Sequence, residues 1–217
     1  MTAMSSSTDL VFILVVVIDL FLLASSRLGA AIRTVAIQGA LLALIPLLLV
    51  HEEGALGHAV VLASGALVVK GIVIPRMMFS AIREASIRRE MEPIVGFVPS
   101  MVLGGIGVAL AFAFASRLPL PEPAHPFLVP TALSTVWAGL LLVVSRKKAV
   151  NQVLGFLVLE NGVFVFGVLL SDVMPLMVEA GVLLDLFAAV FVMGIVMFHI
   201  NREFSSLDTE KLSALKD

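Results

Sequence analysis

Residues 150–170 read Val150-Asn151-Gln152-Val153-Leu154-Gly155-Phe156-Leu157-Val158-Leu159-Glu160-Asn161-Gly162-Val163-Phe164-Val165-Phe166-Gly167-Val168-Leu169-Leu170. Arg146-Lys147-Lys148 precedes the run and Ser171-Asp172 ends it. A helix that crosses a bilayer needs about 20 mostly apolar residues, and this run supplies them. Its one acid, Glu160, sits near the middle, where a charge costs roughly 2.5–3.5 kcal/mol on insertion scales. The run therefore reads as a membrane helix that holds a carboxylate for a reason.

Working outward, the same reading repeats. Six further apolar runs cover 10–25, 30–50, 55–78, 94–115, 127–145 and 176–200, separated by charged or proline-rich breaks. The chain is expected to be all-α: a polytopic membrane bundle of about seven helices. Composition agrees. Charged residues make up only 14% of the chain, against about 25% in a soluble domain, so there is too little polar surface to cover a water-soluble fold. No Lys or Arg precedes Arg27; a cleaved leader begins with a basic segment, so the first run is expected to be a retained helix.

The cations alternate between loops. Arg27 and Arg33 flank the first connection, Arg83, Arg88 and Arg89 lie in the third, Arg146, Lys147 and Lys148 in the fifth, and Arg202, Lys211 and Lys216 in the tail. The opposite loops receive only Arg117. The positive-inside rule then puts the N-terminus outside and the C-terminus in the cytoplasm, as an odd helix count requires. The division expected is a four-helix membrane segment over 1–126, a three-helix segment over 127–200 and a cytoplasmic tail over 201–217.

Several chemistries are excluded. With no cysteine the chain cannot hold a thiolate-bound cluster, a cysteine-ligated zinc or a disulfide. His58 and His199 belong at opposite faces, which argues against a shared haem. Gly105 and Gly107 have no preceding strand to form a nucleotide loop, and Ser145–Lys148 matches S-x-x-K only inside a basic loop. No catalytic residue, cofactor or metal site is expected. Ser100, Gly104, Gly107 and Ala111 form a small-residue stripe that suits close helix contact.

Five ionisable residues fall within apolar runs: Asp19, Lys70, Glu160, Glu179 and Asp185. Such residues face protein or water and mark ion paths or structural pairs. Glu160 and Asp185 lie on helices joined by a short loop, each about ten residues from a helix end, so they can meet at similar depth. Two nearby carboxylates in low dielectric cannot both be ionised cheaply, which suits proton uptake and release. Lys70 continues a stripe of Ala59, Ala63 and Ala66 and is expected to point into the bundle. Pro75 removes a backbone hydrogen bond near Gly71 and should loosen the helix there. The structural alternative is an ion pair or triad that fixes helix register. Asp19 is read as lying toward the cytoplasmic end of its helix, able to snorkel; Glu179 falls in a first helical turn, where an acid also complements the dipole. Gln38 and Asn151 read as packing or capping groups, and His58, Arg76 and His199 as interfacial.

The segment 151–162, with its Glu160-Asn161-Gly162, resembles the membrane component E of hydrogenase-4-type complexes. So do Val178-Glu179-Ala180-Gly181 leading to Asp185, Lys70 with Pro75, and the tail 207–216. The last three helices also resemble the small NuoK-type subunit of respiratory complex I and the C subunit of Mrp antiporters, which have carboxylates in their second and third helices. The resemblance implies a membrane-arm subunit of a group 4 hydrogenase, a formate hydrogenlyase or a related complex-I-like assembly in a prokaryotic cytoplasmic membrane. It implies protons or sodium moved past Glu160, Asp185 and Lys70, with redox chemistry in other subunits and a large antiporter-like subunit among the partners. An Mrp-like antiporter subunit, or a scaffold without an ion path, is the alternative.

Overall fold

The computed structural model describes residues 2–49, 56–84, 93–118 and 125–170, and these are helical throughout apart from short connections. Helix α1 is Thr2–Ala24, α2 Leu28–Ala43, α3 Ile45–Leu49, α4 Leu56–Val68, α5 Ile74–Glu84, α6 Phe97–Ala115, α7 Leu128–Ser145 and α8 Ala149–Leu170. Among the described residues, five stretches are long and apolar enough to cross a membrane: Leu28–Leu48, Ala59–Ser80, Phe97–Ala115, Leu128–Ser145 and Val150–Val168. The expected helix over 176–200 and the tail lie outside the described residues.

Proline explains two departures from straight helices. Pro46 cannot donate to Leu42, so α2 ends at Ala43 and α3 restarts one residue later. Pro75 cannot donate to Gly71, and the backbone there opens into a π turn over Val69–Val73, with Ile74 N–H bonded to Val69 O. The loosening expected near Gly71 is this wider turn, and it lies in a single span running from α4 into α5.

Helix α1 packs against α2, α6 and α7, while α2 also meets α4, α5 and α8. The closest pair is α7 with α8. A Cβ at Gly139 would overlap the backbone of Leu159, and one at Gly162 would fall 2.7 Å from Val136 N. Glycine at these places lets two backbones touch, which helices in lipid exploit for van der Waals contact. The small-residue stripe of α6 is buried as expected, but inside this chain: Gly104 faces Leu20 and Leu23 of α1, and Gly107 faces Trp137 of α7. It is therefore not a bare face awaiting a partner.

Arg146 departs from the sequence reading more sharply. It lies in the connection with Lys147 and Lys148 as expected, but it is fully buried there while Lys147 is exposed. Its guanidinium donates to Leu23 O at 2.7 Å and to Val95 O at 3.4 Å, and stacks over Phe97 at 4.8 Å. The orphan carbonyls at the end of α1 need donors, and a planar fork supplies them. With Ile94 N–H bonded to Ser145 O at 2.7 Å, Arg146 ties three chain segments together at one end of the bundle. At the other end His125 lies 3.0 Å from Asp9 and against Phe12. Its Nδ1 accepts from Phe127 N–H, which leaves the proton on Nε2 toward Asp9. Burial lowers its pKa, with Asp9 opposing.

Candidate functional site

Two apolar clusters fill the bundle. One gathers Leu22, Leu23, Ile32, Val35, Ile74, Leu142 and Val158 toward the Arg146 end. The other gathers Phe12, Val15, Leu42, Ile45, Leu128, Ala132 and Val165 toward the His125 end. On each of α1, α2, α7 and α8 the residues between the two clusters include polar side chains: Asp19, Gln38, Thr135, and Glu160 with Asn161. Lys70 enters the same layer from the π turn. A polar layer sealed by hydrocarbon on both sides is the candidate site.

Its geometry is a chain of hydrogen bonds. Thr135 Oγ1 donates to Asp19 Oδ2 at 2.7 Å, and Gln38 Nε2 donates to Asp19 Oδ1 at 2.7 Å. Asn161 Nδ2 donates to Gln38 Oε1 at 3.3 Å. Lys70 Nζ donates to Asn161 Oδ1 at 3.1 Å and lies 3.6 Å from Glu160 Oε1. The ammonium also sits 4.8 Å above the Phe164 ring, a favourable place for a cation away from water. Every member is buried: Asp19, Gln38, Lys70, Thr135, Glu160 and Asn161 are at most 6% exposed. A cavity of about 10 Å³, the order of one water, is lined by Lys70, Glu160, Asn161, Val35, Ile74 and Leu157.

The fold places these groups by simple means. The Ala59, Ala63 and Ala66 stripe is buried, so the same face of the helix carries Lys70 inward. Gly39 makes room for it, since a Cβ there would lie 2.8 Å from Lys70 Cβ. Glu160 and Asn161 follow Val158 on α8, next to the α7 contact that Gly162 permits.

Of the residues singled out from the sequence, Lys70, Glu160 and Asp19 come together here. Asp185 and Glu179 lie outside the described residues. Asp19 does not snorkel: it is 1% exposed and its short side chain is held between α2 and α7. Gln38 is more than a packing group, because it bridges Asp19 and Asn161. Asn151 is buried, and neither its Nδ2 nor its Oδ1 has a partner among the described residues. Arg76 is exposed. Thr135 was not anticipated; a threonine in a helix usually bonds its own backbone, and nothing local marks this one as a donor to another helix. Among the described residues no three His, Cys, Asp or Glu side chains group as a metal site.

Residues 127–217 match the family of NADH-ubiquinone/plastoquinone oxidoreductase chain 4L. An uncharacterized protein of Mycobacterium tuberculosis is 34% identical over 194 residues, covering 88% of this chain and 87% of the relative. Hydrogenase-4 component E of Escherichia coli K12 is 30% identical over 156 residues, covering 71% of this chain and 72% of the relative. The component E of Shigella flexneri matches to the same extent. No solved structure matches.

Proposed function

The chain belongs to the hydrogenase-4 component E family, and on that premise we propose that it is a membrane-arm subunit of a complex-I-like, group 4 hydrogenase or formate hydrogenlyase-type assembly. In this reading it conducts protons or sodium ions, while other subunits carry out the redox chemistry. The observation behind it is the buried Lys70–Glu160 pair, joined through Asn161 and Gln38 to Asp19. Helix packing alone does not call for three ionisable groups midway through an apolar bundle, each costly to insert. Asp185 and Glu179, which the sequence reading sets on an apolar run over 176–200, would extend the path. The match over residues 127–217 supports reading 127–200 as the unit related to the complex I subunit. The other membrane subunits, among them a large antiporter-like one, complete the path.

Isolating the native assembly through a tag on this chain tests the reading. Hydrogenase-type redox subunits should co-purify with it. Recovery of the chain alone, with ion exchange by the lone chain in liposomes, would instead establish an independent transporter.

The membrane orientation follows from the cations. The structure gathers Arg27, Arg146, Lys147 and the connection before α6 at one end of the bundle, and we assign that end to the cytoplasm of a prokaryotic cell, with the N-terminus outside. The chain has no cysteine, so a single Lys147→Cys is a clean probe. It should resist impermeant thiol reagents in intact cells and react after permeabilisation. Ready labelling in intact cells would reverse the topology.

A further inference from the structure

The polar layer makes no use of the arginines on the outside of the bundle, and three of these gather on one facet. Arg76, Phe79 and Arg83 stand three and four residues apart on α5, so they share a face of that helix. Gly29 of α2 lies opposite the Phe79 ring, and Arg33 follows one turn later with its guanidinium 5.9 Å from the ring centroid. Phe79 is thus flanked by an arginine on either side along α5 and covered by a third from α2. All three arginines are exposed, while Phe79 and Ile82 pack against the apolar core.

Their depth narrows what they can meet. Arg33 lies just inside the start of the apolar span Leu28–Leu48, and Arg76 just inside the end of Ala59–Ser80. At 1.5 Å per residue, each backbone is roughly 6 to 8 Å within the span. Long cationic side chains at such a place extend toward the headgroups, since an arginine left in hydrocarbon is costly. Among the described residues no carboxylate pairs with any of the three. Like charges held together repel one another unless an anion lies among them. Toward the middle of the span the same surface turns aliphatic. Ile37 is one turn from Arg33, Ile72 and Val73 are one turn from Arg76, and all three are exposed. Cations at headgroup depth, with exposed hydrocarbon beside them, complement a molecule that is anionic at one end and aliphatic at the other. Acids of a neighbouring subunit would meet the charges but would not call for that order. Guanidinium groups also suit phosphate, whose oxygens they take in pairs.

We propose that Arg33, Arg76 and Arg83, arranged around Phe79, bind the headgroup phosphate of an anionic phospholipid whose acyl chains run along Ile37, Ile72 and Val73. The site lies on the outer surface of the bundle, apart from the polar layer, and does not rest on the ion-path reading.

Native mass spectrometry of the purified full-length chain in detergent counts the lipids that stay bound. Offered phosphatidylglycerol and phosphatidylcholine in equal amounts, the wild-type chain should retain phosphatidylglycerol. Arg33→Gln, Arg76→Gln and Arg83→Gln should each weaken that retention about fivefold, the effect of one cation at an anionic headgroup. The triple glutamine variant should show no preference. The triple lysine variant should keep part of it, which an unfolded chain would not. Arg117→Gln, at the opposite end of the bundle, should change nothing. Glycerol phosphate, which carries the charge without the chains, should not displace the lipid. Equal retention of the two lipids by the wild type, or an undiminished preference in the triple glutamine variant, would overturn the proposal. Displacement by glycerol phosphate would also overturn it, in favour of a site for a free phosphate. So would a triple glutamine variant that keeps its lipid but loses the other membrane subunits from the tagged native assembly, a result that assigns the facet to an acidic protein surface. Failure of hydrogenase-type subunits to co-purify with the wild type would defeat the membrane-arm reading and leave this lipid site standing.

Discussion

Glu160→Gln is expected to abolish coupled ion movement by the native assembly while leaving the chain folded and in place. Glutamine keeps the shape of the side chain and its place in the polar layer, but it cannot bind and release a proton. Breaking a buried ion pair by removing one partner ordinarily costs about 3–5 kcal/mol, because the other charge is left uncompensated. Here Lys70 still donates to Asn161 Oδ1 at 3.1 Å and is linked through Gln38 to Asp19, so its ammonium keeps an acceptor and a carboxyl in the same network. The chain should therefore assemble, and ion uptake per redox turnover in sealed vesicles should fall to background. Glu160→Asp should retain part of the coupling, since it keeps the acid and shortens its reach toward Lys70. An assembly with Glu160→Gln that moves ions at the wild-type ratio would show that Glu160 is not on the path and that the pair is structural.

Gly139→Ala should be the most destabilising small substitution in the bundle. The added methyl would overlap the backbone of Leu159, and backbone cannot rotate aside as a side-chain tip can. Helices α7 and α8 would have to part along the seam where they pack closest. Overpacking of this kind costs about 1–3 kcal/mol, and more where rigid atoms collide. Gly105→Ala on α6 is the matched control, because a Cβ there meets nothing within 4 Å. Alanine is the better helix former by roughly 1 kcal/mol, so the control should be neutral or slightly stabilising. Thermal unfolding of the purified variants in detergent compares them, and equal melting temperatures would mean that the α7–α8 contact is looser than described.

How far the sequence revealed this site depended on whether a signal lay within one helix. Run length and breaks gave the helices from 28 to 168. The alanine stripe at 59, 63 and 66 gave the direction of Lys70, because residues at that spacing share a face. Pro75 gave the opened turn, since the missing donor is a property of the residue itself. Partners across helices were less legible. Gln38 reads as an ordinary polar residue until α2 is set against α1 and α8, and Thr135 carries no mark at all. Arg146 misled because a cation beside two lysines looks solvated. Its burial follows from the end of α1 arriving beside it, and no pattern in 146–148 encodes that. The α6 stripe shows the same limit: its small residues were evident, but that they receive α1 and Trp137 of this chain was not.

The π turn at Val69–Val73 has a mechanical consequence. Such a turn is a helix with one residue too many for its length, and it behaves as a dislocation does in a crystal. Pro75 pins this one, because the donor missing opposite Gly71 is a property of the residue itself. Lys70 lies inside the fault, and Ile74 and Met78 beyond it are buried. The extra residue resets the phase of the helix by about 100° at the depth of the charge.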